Sequence, residues 1–229
     1  KTLALRVKVS TLKRNFAIAN AGPGGGGILH RSNRMTVQES AVIDNVSASS
    51  GGGIAVQPFP ESAFPSAALQ NVTLSGNQAQ VGGGISAAGD LSLRHVTLAG
   101  NHARNEGGGV DYQPLQQVQF TLENSILAEN TAEKAGSRNC RTPVPQSGGV
   151  NLEDGDSCGF DGKMGQVNTD PLLRSLGDYG GETLSRTLRS SSPAIDAAAR
   201  DSCLSEDQRG IQRPQGKGCD LGAVEIEGP

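Results

Sequence analysis

Through the middle of the chain, apolar residues fall on alternate positions and then change phase. Aligned on an Asn at 45, 77, 101 and 130, the residues three before it are Val42, Leu74, Leu98 and Leu127, and those five before it are Ser40, Val72, Val96 and Ser125. Eight before lie Val37, Leu69, Leu93 and Leu122, and ten before lie Met35, Ala67, Leu91 and Phe120. Each run has the period of two that marks a strand with one buried face. The runs are out of step by one residue, so the chain must turn a corner between them. At the start, Leu3, Leu5, Val7 and Val9 alternate with Ala4, Arg6 and Lys8. They read as one more amphipathic strand, so the expectation is a fragment or processed form that begins inside a structured region.

Two landmarks repeat with this pattern. Gly25-Gly26-Gly27-Ile28 returns as Gly51-Gly52-Gly53-Ile54, Gly82-Gly83-Gly84-Ile85 and Gly107-Gly108-Gly109-Val110, every 25 to 31 residues. The Asn is followed two positions later by a small residue, Ser47, Ala79, Ala103 or Ala132, and Asn20 is a possible head of the series. A unit of short strands and corners cannot bury its apolar side alone, and stacking such units can. The expected fold is all-β, a right-handed parallel β-helix with an irregular, disulfide-bearing C-terminal cap. Residues 1–139 are expected to form coils, and 140–229 the last coil or coils and the cap. Asn45, Asn77, Asn101 and Asn130 would form a side-chain amide ladder down the stack. The glycines suit corners, which need positive φ and close backbone approach. A helical solenoid would show a 3.6-residue period, which is absent; a propeller or sandwich is the remaining alternative. No Gly-Lys-Ser/Thr follows any triplet, so the glycines read as turns rather than phosphate cradles.

Composition sharpens this. With 32 Gly, no Trp and only five Phe and two Tyr in 229 residues, the core must rest on aliphatic side chains in many similar layers. A net charge of -3 with both signs mixed along the chain gives no footprint for nucleic acid or an anionic membrane. No run approaches the roughly 18 apolar residues of a membrane span. Cys140, Cys158, Cys203 and Cys219 lack C-x-x-C spacing. They read as two disulfides in an oxidising compartment, and local pairing of 140 with 158 and 203 with 219 closes the shortest of the three possible sets of loops.

The coils from Gln70 to Asn130, Leu-x-Leu-x-x-x-Thr-Leu-x-x-Asn-x-Ala followed by Gly-Gly-Gly-Ile, resemble the repeats of polymorphic-outer-membrane-protein type bacterial β-helices. The tail carries Asn168-Thr169-Asp170-Pro171-Leu172, Gly180-Gly181, Ser192-Pro193-Ala194-Ile195-Asp196-Ala197, Asp207-Gln208-Arg209-Gly210, Arg213-Pro214 and Cys219-Asp220-Leu221-Gly222-Ala223. It is similar to the end of the bacterial choice-of-anchor Q surface proteins. The resemblance implies export to the cell surface or medium and an anchor after the Asp-Leu-Gly-Ala segment, which Val224 to Pro229 do not contain. It implies no catalytic residues. The tail is expected to cover the last coil, with Arg209 and Asp220 as an ion pair inside it.

The outward columns are where acids and bases can project to form a groove. Arg94, His95 and Glu123, on adjacent coils, are the best acid–base candidates, since a carboxylate can orient an imidazole beside a cation. The plainer reading is a solvated ladder in which Arg94 pairs with Glu123, worth at most about 1 kcal/mol. His102, Arg104, Asp111 and Tyr112 make a second, corner cluster. Asp154-Gly155-Asp156, with Glu153 and Asp161, resembles half a calcium loop but lacks the full spacing. Asn45-Val46-Ser47 and Asn71-Val72-Thr73 match glycosylation acceptors, and strand placement argues against their use. Tyr112 and Tyr179 are a poor supply of sugar-stacking platforms. The expectation is therefore a non-enzymatic, monomeric, extracellular or outer-surface scaffold of adhesin type, without metal or cofactor, touching a glycan or a protein surface. The alternative is a polysaccharide lyase or glycoside hydrolase.

Overall fold

The computed structural model describes residues 4–18, 22, 24–31, 33–58, 64–114, 118–144, 146–161 and 165–227; Leu3 and Asn20 lie outside them. The chain is a right-handed parallel β-helix of about five turns. Each full turn contributes to three sheets. The long sheet takes Ala4–Lys8 and Thr11–Lys13, then Arg34–Ile43, Ser66–Ser75 and Asp90–Ala99. It continues through Phe120–Glu123 with Ile126–Ala128, Gln146–Gly148 with Asn151–Glu153, and Gly165–Gln166. A short sheet takes Phe16–Ala17, Val46–Ser47, Gln78–Ala79, His102–Ala103 and Thr131–Ala132. A third, after the glycine triplets, takes Ile28–His30, Ile54–Val56, Ile85–Ala87 and Val110–Tyr112.

The register brings equivalent side chains into columns. Met35, Ala67, Leu91 and Phe120 are consecutive partners, as are Val37, Leu69, Leu93 and Leu122, and Val42, Leu74, Leu98 and Leu127. These are the buried core, closed on one side by Tyr112 against Phe120, with ring centroids 5.1 Å apart. The phase shift has a local cause. Glu39, Asn71, His95 and Asn124 hold φ of 49°, 52°, 49° and 48°. One left-handed residue in mid-strand swaps the inward and outward faces, and Asn tolerates that conformation better than most residues.

The Asn column is a continuous chain of amides. Asn15, Asn45, Asn77 and Asn101 each donate from both backbone N and side-chain Nδ2 to Oδ1 of the next Asn, at 2.9–3.1 Å. The other Nδ2 proton of Asn45, Asn77, Asn101 and Asn130 goes to Leu12, Val42, Leu74 and Leu98 carbonyls. Asn130 passes the chain to Asn139, whose Nδ2 ends it on the Glu153 and Asp154 carboxylates. Among the described residues the column runs from Asn15 and gains Asn139, which the repeat pattern did not reveal. Close approach explains the middle glycine of a triplet: a Cβ on Gly52 would lie 2.3 Å from the Gly83 carbonyl oxygen.

Both disulfides pair locally, Cys140 with Cys158 and Cys203 with Cys219. The tail, however, does not simply lie over the last coil. It runs back along the flank of the long sheet, over the strand halves beyond the left-handed corner. Thr183 Oγ1 and Gly222 N donate to the corner carbonyls of Glu39 and Asn124, and Asn71 Nδ2 donates to Glu206 O. Thr73 and Thr97 meet Gln208 Oε1 and Ala223 N. Leu173, Leu188, Ala194, Cys219 and Leu221 pack on Ala99, Ile126, Ala128 and Leu152 as a second core. The outward column there suits such a cover: Ile43, Ser75, Ala99 and Ala128 are register partners, small or apolar, and all buried. Inside the tail Arg209 pairs with Asp207 at 2.9 Å, not with Asp220. Asp220 instead accepts from the backbone N of Asp196 and Ile226.

Candidate functional site

Because the tail covers only one half of the long sheet, the half before the corner stays open. Its outward side chains form three rows across the coils: Arg34, Ser66 and Asp90; Thr36, Ala68, Ser92 and Thr121; and Gln38, Gln70, Arg94 and Glu123. The middle row is small, so its floor is low and the flanking rows make walls. The result is an open trough of about 480 Å³ over the Arg34 to Gln119 side of the face. The walls are fixed by bonds between coils. Gln38 Nε2 donates to Gln70 Oε1 at 2.8 Å, and Asp90 Oδ1 accepts from Gln119 N at 2.8 Å. A smaller depression of about 140 Å³ lies beside it, where Gln38, Glu39, Gln70 and Asn71 meet Leu204 to Glu206 of the tail.

The proposed acid–base group divides across this geometry. Arg94 and Glu123 pair at 3.5 Å in the outward row that continues from Gln70, beyond the residues that line the trough, both about one-third exposed. Arg94 also donates through Nε and NH2 to Ser202 O of the tail. His95 occupies the left-handed corner under the tail, fully buried. Its Nε2 meets Asn124 Nδ2 at 3.2 Å, and Nδ1 has no partner. Burial, followed by the nearby Arg213 charge, pulls its pKa down to about 3. A neutral imidazole sealed from the trough cannot exchange protons with a molecule lying there; His95 is a structural part of the tail contact.

The corner cluster separates as well. His102 is on the short sheet, its Nδ1 2.9 Å from Thr131 Oγ1, while Asp111 is on the third sheet. There Asp111 pairs with Arg141 at 3.2 Å and accepts from Ser86 Oγ and Gln113 Nε2. Arg104 faces outward near His102. Tyr112 is in the core, and burial pushes its pKa up to about 12; the Tyr179 hydroxyl donates to Ser175 O. Neither ring is a platform on the open face. Glu153 is buried and accepts from Cys158 N and Asn139 Nδ2, and Asp154 from Glu129 N. Among the described residues no group of three or more His, Cys, Asp or Glu side chains is placed to hold a metal. Asn45 and Asn71 are both buried, so the fold leaves no room for a glycan on either.

Asn124 is the residue that pattern reading undervalued. Its Nδ2 donates to Ser202 Oγ at 2.9 Å and its Oδ1 accepts from Ala199 N at 3.0 Å, which fastens the tail to the coils beside the trough. Its only sequence signal is its place in the corner column with Asn71. Comparison of the chain with protein-family models, curated proteins and solved structures gave no match. Among the described residues, no helix is long and apolar enough to cross a membrane.

Proposed function

We propose that this protein is an extracellular, adhesin-like scaffold that binds without chemistry, and that the open half of the long sheet is its contact face. The reading rests on one observation. A flat row of Thr36, Ala68, Ser92 and Thr121, at the spacing of about 4.8 Å set by parallel coils, lies open between amide and charged walls while the other half of the same sheet is sealed. Hydroxyls and amides held at a constant repeat suit a linear polymer rich in hydroxyl groups, and an extracellular polysaccharide is the preferred ligand. Two disulfides fit the oxidising surroundings such a ligand implies.

The test is direct. The protein is incubated with a panel of uronate-containing and neutral polysaccharides, and both retention and chain cleavage are measured. Retention without new unsaturated or reducing ends, weakened by Ser92→Trp, is the expected result. Cleavage that is lost in Glu123→Gln would replace the scaffold with a lyase or hydrolase using the Arg94–Glu123 pair.

A further inference from the structure

The charge of the trough changes along the stack. One wall, Arg34, Ser66 and Asp90, passes from a guanidinium through a hydroxyl to a carboxylate on three successive coils. Arg34 and Asp90 are exposed, and their backbones stand two coil spacings apart, roughly 10 Å. The Arg34 guanidinium has no hydrogen bond or ion pair among the described residues. Both coils that flank it are described, with Ala4 and Ser66 as its register partners. Arg6, beside Thr36 in the floor row, adds positive charge at the same end, while Lys8 is held by Glu39 at 3.3 Å. Asp90 accepts from Gln119 N and has no ion pair among the described residues. On the facing wall the bond from Gln38 Nε2 to Gln70 Oε1 leaves Gln38 Oε1 and Gln70 Nε2 without partners among the described residues.

We propose that the trough takes a linear acidic polysaccharide whose carboxylate-bearing sugars are separated by several neutral ones, an inference that rests on the open half of the long sheet being the contact face. A guanidinium without a protein counter-charge presents a fork of N–H groups that a carboxylate fits at two points. That places one acidic sugar at Arg34. Beyond it the trough offers hydroxyls, uncommitted amide groups and the Asp90 carboxylate, which accepts from sugar hydroxyls and repels a second carboxylate. A neutral chain leaves Arg34 unmatched. A chain acidic at every sugar sets one of its carboxylates against Asp90.

The experiment measures affinity of the full chain for three immobilised linear polymers: a neutral β-glucan, polygalacturonate, and a gellan-type chain with glucuronate on every fourth sugar. The gellan-type chain should bind tightest, by about three- to fivefold over either of the others at low salt, with the advantage shrinking as salt rises. Arg34→Gln should remove its advantage over the neutral glucan. Asp90→Asn, whose amide oxygen can still accept from Gln119 N, should raise polygalacturonate binding by a similar factor, a gain that a misfolded chain cannot show. Failure to retain any of the three polymers sinks the contact-face reading and this inference with it. Equal retention of all three, polygalacturonate bound as tightly as the gellan-type chain, or a preference that survives Arg34→Gln overturns the inference alone and leaves the contact face standing.

Discussion

Arg213 NH1 lies 2.8 Å from Glu225 Oε2, with both side chains sealed from solvent. The pair is a clamp rather than a surface bridge. Arg213 also donates to the carbonyls of Asp220 and Gly222, and Glu225 accepts from the backbone N of Asp220 and Gln215. The loop so held carries Gly222 and Ala223, which bond to Asn124 O and Thr97 Oγ1 on the coils. Removing Glu225 takes away the largest of the three carboxylate charges that offset the buried Arg213, the others being Asp207 and Asp220. Glu225→Gln is therefore expected to cost about 3–5 kcal/mol in denaturant unfolding, and Arg213→Met with Glu225→Leu together to cost less than either single change.

The amide column makes a graded prediction. Asn101→Ala orphans the backbone N–H of Asn77 and one of its Nδ2 protons and takes a side-chain donor from the Leu74 carbonyl, while Asn130 Oδ1 keeps the backbone N–H of residue 101. At about 1–3 kcal/mol for each unsatisfied buried group, partly relieved by relaxation, the loss should reach at least about 3 kcal/mol. Asn15 is exposed and, among the described residues, has one neighbour in the column. Asn15→Ala should cost about 1 kcal/mol or less by the same melt.

His95 gives the pH dependence. Its folded pKa of about 3 lies below the ordinary 6.5, so the unfolded chain takes up a proton over that window and the folded one does not. Stability from this group is full above pH 6.5 and falls on acidification, by about 3 kcal/mol at pH 4. Asp220 acts in the opposite sense. Burial raises its carboxyl from 3.8 to about 6, so the folded form holds its proton more tightly and stability drops as pH rises through that range. His95→Asn keeps a residue type that Asn71 and Asn124 already use at this corner. In denaturant midpoints against pH, that variant should lose the acid-side decline attributable to His95 while retaining the Asp220 slope.

The Cys203–Cys219 bridge closes a loop within the tail. Replacing both residues by Ala should lower stability by about 3 kcal/mol and raise amide exchange at Ala194, Leu221 and Ala223. Leu74, Leu98 and Leu127 should stay protected, because their column belongs to the other core.

How far the sequence reveals this structure can be judged from two columns. Val42, Leu74, Leu98 and Leu127 are aliphatic at a fixed distance from an Asn, so their stacking is legible from the repeat alone. Ala41, Thr73, Thr97 and Ile126 occupy outward positions with a mixture of polar and apolar types, and nothing local says what covers them. Their burial depends on a tail more than a hundred residues away for the Thr73 to Gln208 contact. The fate of His95 followed from the same contact: its column position is outward by alternation, yet it is buried by the returning tail. Arg94 with Glu123, by contrast, was visible as a pair because adjacent coils place them in register.

The stacked register itself is open to one measurement. With leucine methyl groups labelled, nuclear Overhauser contacts should join Leu74 to Leu98 and Leu98 to Leu127, neighbours across parallel coils about 4.8 Å apart, with no direct contact between Leu74 and Leu127. Absence of both neighbour contacts in the folded, disulfide-bonded protein would contradict the β-helix and everything built on it.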